Sequence, residues 1–87
     1  MRIGKFYLSS HLIENKYSEV ANILSQLRFV PFHVEHLYSS SRFLMEGMSE
    51  KFNEVEEGQA IPFYDLEIIK VYNKSVVTKI VKSSNQF

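Results

Sequence analysis

The chain has no cysteine and no tryptophan, and only three glycines and two prolines in 87 residues. Without cysteine, disulfide staples, thiolate nucleophiles and cysteine-ligated zinc are excluded. For so small a domain this points to a reducing compartment, and the expected location is the cytoplasm. The scarcity of glycine and proline implies regular elements joined by short turns. No apolar run approaches the length of a membrane span. The opening residues, Met1 to Phe6, lack the apolar stretch of a signal peptide, and Arg2 breaks the myristoylation pattern. Net charge is missing too, at a formal +0.

That neutrality hides a segregation of sign. From Glu46 to Glu67 there are seven acids (Glu46, Glu50, Glu54, Glu56, Glu57, Asp65, Glu67) against one base, Lys51, a balance of −6. From Ile68 onward there are four bases (Lys70, Lys74, Lys79, Lys82) and no acid, a balance of +4. An acidic middle and a basic end can offer different faces to partners. The 45% hydrophobic content, carried by seven Phe and five Tyr among others, marks a globular chain. The length fits a single domain over 1–82, followed by a frayed polar tail at 83–87.

Ile3 to Leu8 reads as a strand, with Ile3 and Tyr7 on one face and Phe6 and Leu8 on the other. Ile13, Tyr17, Val20, Ala21, Leu24 and Leu27 recur at spacings of three and four, with Ile23 widening the stripe. They predict one helix over about 12–28. Pro31 excludes continuation of that helix. Alternation from Val30 to Tyr38 predicts a strand with Pro31 near its start. Ser39 to Ser41 reads as a turn, and Arg42 to Glu46 as the returning strand. Gly47 to Pro62 reads as a long ordered connection anchored by Met48, Phe52 and Val55. Phe63–Tyr72 and Val76–Val81 read as two more strands around a turn at Asn73-Lys74-Ser75. The fold class is therefore α+β: a two-layer sandwich, one helix packed on a mainly antiparallel sheet of about five strands, in the order β-α-β-β-β-β.

A 17-residue helix spans about 25 Å at its usual rise and covers only one face of such a sheet. Yet Tyr7, Leu37, Leu44, Ile69 and Val71 put apolar side chains on the second face. Two covers fit: the 47–62 connection folded back with Phe52 and Val55, or a second copy or partner protein.

His33-Val34-Glu35-His36 is the one cluster with the look of a site. Three residues is an odd step on a strand, so His33 and His36 diverge and cannot share a metal. The expectation is a surface His33–Glu35 pair and a partly buried His36. His11 reads as solvated surface. Asp65 and Glu67 share one strand face, but nothing sets their environments apart as acid–base catalysis requires. The serines lie in turns without a nucleophile elbow, and Gly4, Gly47 and Gly58 are isolated rather than part of a phosphate loop. No catalytic residue, metal or cofactor is expected.

The sequence thus favours a non-enzymatic interaction protein, an adaptor or inhibitor. It would bind a basic partner surface through Glu46, Glu50, Glu54, Glu56 and Glu57, and a partner or a second copy through the apolar face. The alternative is a nucleic-acid-binding module using Lys70, Tyr72, Lys74, Lys79 and Lys82. Against it, lysines on a terminal hairpin also serve to guard a sheet edge.

Overall fold

Gly4, Phe6 and Leu8 alternate with Ile3, Lys5 and Tyr7, and only the first set is buried. That alternation makes β1 (Ile3–Ser9) a strand with one face turned to a core. The computed structural model describes residues 1–72 and 74–83. After β1 come two short helices, α1 (Ser10–Asn15) and α2 (Tyr17–Leu27), then β2 (Val30–Leu37), β3 (Arg42–Met48), β4 (Tyr64–Val71) and β5 (Lys74–Lys82). The protein is an α+β fold, its helices on one face of antiparallel strands.

The strands form two sheets rather than one. β1, β3 and β2 pair antiparallel in the spatial order β1-β3-β2, and β4 pairs with β5 as a hairpin. A parallel bridge, Lys5 to Phe63, joins them, and the Lys5 amide donates to the Pro62 carbonyl at 3.0 Å.

The helix expected over 12–28 starts earlier and is broken. Lys16 sits between α1 and α2 at φ −136° and ψ 51°, outside helical geometry. Within α2 the buried line lies on the Ile23 side of the expected stripe. Val20, Ile23 and Leu27 become the buried line, while Tyr17 and Ala21 turn outward. α2 ends at Arg28 in left-handed geometry. The Arg28 and Phe29 amides donate back to Ser25 and Leu24, a closed helix end that aims Phe29 into the core. The Ser49 hydroxyl donates to the Leu27 carbonyl at 2.5 Å, satisfying another terminal acceptor.

The core joins Phe6, Leu8, Val20, Ile23, Leu27, Phe29, Met45, Phe52 and Tyr64. Phe52 belongs to it fully. It stacks on Tyr64 at 4.5 Å and meets Phe6 and Phe29 edge-on. The connection after β3 therefore does not fold Phe52 over the second face, as one sequence reading allowed. It inserts Phe52 beside the helices instead. Val55 reaches the other side only at its margin, where its amide donates to the Met1 carbonyl and it lines a depression with Ile3.

Strand ends also differ from expectation. β3 runs on to Met48, two residues past the expected end at Glu46, so Gly47 and Met48 are strand residues rather than part of the connection. Lys74 and Ser75 belong to β5, and Tyr72 makes the reversal at φ 50°. Asn73 of the expected turn, and residues 84–87 of the expected tail, lie outside the described residues. Ser83 still donates its amide to the Phe63 carbonyl. Among the described residues, no helix is long and apolar enough to cross a membrane.

Candidate interaction surface

The β pleat sends alternate residues to opposite faces, and the helices occupy one face only. The other face carries all five apolar residues expected there. Tyr7 stands directly opposite Leu44, and Leu37 opposite Arg42. On β4, Tyr64, Leu66 and Ile68 point into the core, so Ile69 and Val71 point away. Ile69 and Val71 remain exposed, with Val76 opposite Ile69 on β5. Val30 and Met48, opposite one another at the far end, are also exposed apolar residues.

A cation–aromatic string crosses this face and ties the two sheets together. Tyr7 stacks on Phe63 at 5.2 Å. The Arg42 guanidinium lies 3.9 Å from the Tyr7 ring centre, and Lys5 Nζ lies 4.4 Å from that of Phe63. Lys5, Arg42 and Phe63 were not singled out from the sequence. The available signal was Lys5 and Tyr7 at i, i+2 on one strand face. Arg42 and Phe63 had none, because their partnership depends on how the strands are ordered.

The five acids expected to act together are divided by the fold. Glu46 stands in β3 between Lys5 and His33 in the strand register. Glu50 pairs with Arg28 at 3.6 Å. Glu54 meets the Met1 amino group and lies 3.7 Å from Arg2. The hydrogen bond from that amino group holds the Glu54 carboxyl below the usual carboxylate range. Glu56 and Glu57, at the outer end of the connection, make no ion pair among the described residues.

The basic set is dispersed as well. Lys70 donates to Glu19 at 2.6 Å across the helix side. Lys79 stands opposite Glu67, whose carboxylate also accepts from Thr78 at 3.0 Å. Lys74 and Lys82 mark opposite ends of β5, with Tyr72, 95% exposed, at the tip beside Lys74.

His33 and His36 diverge as the strand period requires. His33 Nε2 lies 3.5 Å from Glu35 Oε1 on the open face. His36 stacks on Phe43 at 4.2 Å, with its Nε2 and the Ser10 hydroxyl hydrogen-bonded at 3.1 Å on the helix side. His11 is exposed and contacts Asn15 one turn along.

A groove of about 370 Å³ lies between the helices and the β4–β5 hairpin, floored by Leu12, Ile23 and Ile68 with Glu19 and Lys70 at its edge. No family model matches the chain, and neither does any curated protein or solved structure.

Proposed function

We propose that the protein is a non-enzymatic interaction module of the cytoplasm, an adaptor or inhibitor that binds another protein through its open sheet face. One observation carries this reading. The face away from the helices keeps Ile69, Val71, Val30 and Met48 exposed, although the chain has a long connection able to cover it. That connection commits its largest side chain, Phe52, to the other side. Exposed apolar residues interspersed with charged ones on an open face have the composition of a protein contact. Glu56 and Glu57 would supply the acidic rim toward a basic partner, a smaller contribution than the whole acidic segment implied.

The nucleic-acid alternative draws on Tyr72 beside Lys74 at the hairpin tip. It is weakened by the engagement of Lys70 with Glu19 and the placement of Lys79 against Glu67. Affinity for a mixed oligonucleotide that falls steeply with salt would favour it over protein binding.

The deciding experiment is capture of partners from the native host, identified by mass spectrometry. An Ile69→Lys/Val71→Lys variant should fold and lose the partners that the unaltered protein captures. A Glu56→Lys/Glu57→Lys variant should weaken capture less. If the first variant retains every partner, the open face is not the contact.

A further inference from the structure

The two outer edges of the strand array are treated differently, and the difference points to a second copy of this chain. The β5 edge is closed at Ser75 and Val77 by helix side chains. The Gln26 amide accepts from the Val77 N–H at 2.9 Å and donates to the Ser75 carbonyl at 2.8 Å. Asn22 donates to the same carbonyl at 2.7 Å. Among the described residues the β2 edge has no such cover. Its residues from Val30 to Glu35 are all exposed, including Phe32 and Val34. Pro31 and the register shift between Pro31 and His33 protect only its start. From His33 to Leu37 the strand is regular, and no described strand pairs with its outer side.

Charge on that segment selects one pairing. Two copies joined edge to edge in one antiparallel sheet are related by a two-fold axis through the sheet, so opposed residues share a face. The axis then passes by a residue, and the central choices are His33, Val34 and Glu35. Centring on His33 sets His33 against His33, and centring on Glu35 sets carboxylate against carboxylate. Centring on Val34 packs Val34 on its own copy and sets His33 against Glu35 twice. Only this register brings unlike groups together.

The same register continues an order already present in the monomer. Lys5, Glu46 and His33 stand in one row across β1, β3 and β2. Glu35 of the second copy would extend that row, giving basic, acidic, basic, acidic across the junction.

We propose that the protein self-associates through β2, antiparallel and centred on Val34, with reciprocal His33–Glu35 contacts. The proposal uses a sheet edge and is independent of the partner-binding face. The two-fold axis leaves both open faces on the same side, so the two sites would coexist.

Sedimentation equilibrium of the full chain tests it, in mildly acidic buffer where imidazole carries charge. The unaltered protein should dimerise with concentration. Val34→Lys, which sets two ammonium groups together at the axis, should be monomeric. Glu35→Lys should weaken association about tenfold by turning two attractive pairs repulsive. His33→Glu should weaken it likewise, by opposing carboxylates. Mixing Glu35→Lys with His33→Glu should restore association as a heterodimer, because every opposed pair is then of unlike charge. All three side chains are exposed, and circular dichroism should confirm that each variant folds. A monomer at millimolar concentration overturns the proposal. So does a dimer indifferent to Val34→Lys, or a mixture that associates no better than its components.

Discussion

Glu19 is one of the groups whose ionisation is altered by its surroundings. It lies in the first turn of α2, where a carboxylate favours the helix dipole, and it reaches Lys70 on β4. The hydrogen bond from Lys70, aided by its positive charge, outweighs desolvation and holds the Glu19 carboxyl below the usual range. The same bond raises the Lys70 ammonium above its usual range. The signs fix two pH windows. A lowered carboxyl contributes stability above its unfolded pKa and loses it as pH falls through the folded value. A raised ammonium contributes below its unfolded pKa and loses it as pH rises through the folded value. Glu19→Gln should therefore lower Tm at neutral pH, and the gap should close on acidification through the carboxylate range. Thermal melts of both proteins across pH check this; a gap that stays constant would show that the pair adds nothing through its charge.

Gly47 illustrates a residue whose role is space. Its neighbours in the register are Gly4 on β1 and Pro31 on β2. A Cβ at Gly47 would lie 2.6 Å from the Phe29 ring, and one at Gly4 would lie 2.7 Å from Tyr64 and 2.9 Å from Phe52. The sequence permits only the conclusion that these glycines form no phosphate loop. That they clear room for three aromatic rings depends on strand order, which residue spacing does not carry.

At the scale of elements, α2 does two jobs with two faces. Val20, Ile23 and Leu27 fill the core, while Asn22 and Gln26 close the β5 edge. Gln26 acts as a short stretch of strand, its amide matching the peptide groups it meets. Gln26→Ala should cost about 2 kcal/mol, because it strips the Val77 amide of its partner and leaves the Ser75 carbonyl with Asn22 alone. Gln26→Leu should not restore the loss, since it keeps bulk without hydrogen bonds. Urea titration separates the cases: full recovery by Leu would make the contact one of packing.

This clamp also marks how far the sequence could be read. All five strands were legible, because period-two alternation and the Pro31 break are local signals. The helix was legible as an element, but its break at Lys16 was not, and neither was the outward turn of Tyr17 and Ala21, which keep the spacing of three and four but sit on the flank away from Ile23. That Asn22 and Gln26 clamp a strand edge was not legible, because a polar residue on a helix carries no record of a strand edge beside it. At the site, the apolar residues of the second face were legible from parity. The pairing of Glu50 with Arg28 and of Glu54 with Met1 and Arg2 was not, because each crosses more than twenty residues of chain.

On the scale of the whole molecule, the long connection decides which face stays open. It had two places to put Phe52. The helix side offered Phe6, Phe29 and Tyr64, a closed aromatic cluster; the other side offered a row interrupted by Lys5, Glu46 and His33. Burying a phenyl ring among rings is favoured over laying it on charged groups, which would lose water. The fold therefore does not depend on its exposed apolar residues in the way it depends on Phe52. Phe52→Ala should cost about 3–5 kcal/mol, a large share of the stability of so small a domain. Replacing both Ile69 and Val71 by Thr, which keeps β-branching on exposed strand positions, should cost about 1 kcal/mol or less. Chemical denaturation of the two variants gives the comparison. Comparable losses would mean that the open face is part of the folding core; a wide gap would mean that Ile69 and Val71 are dispensable for the fold.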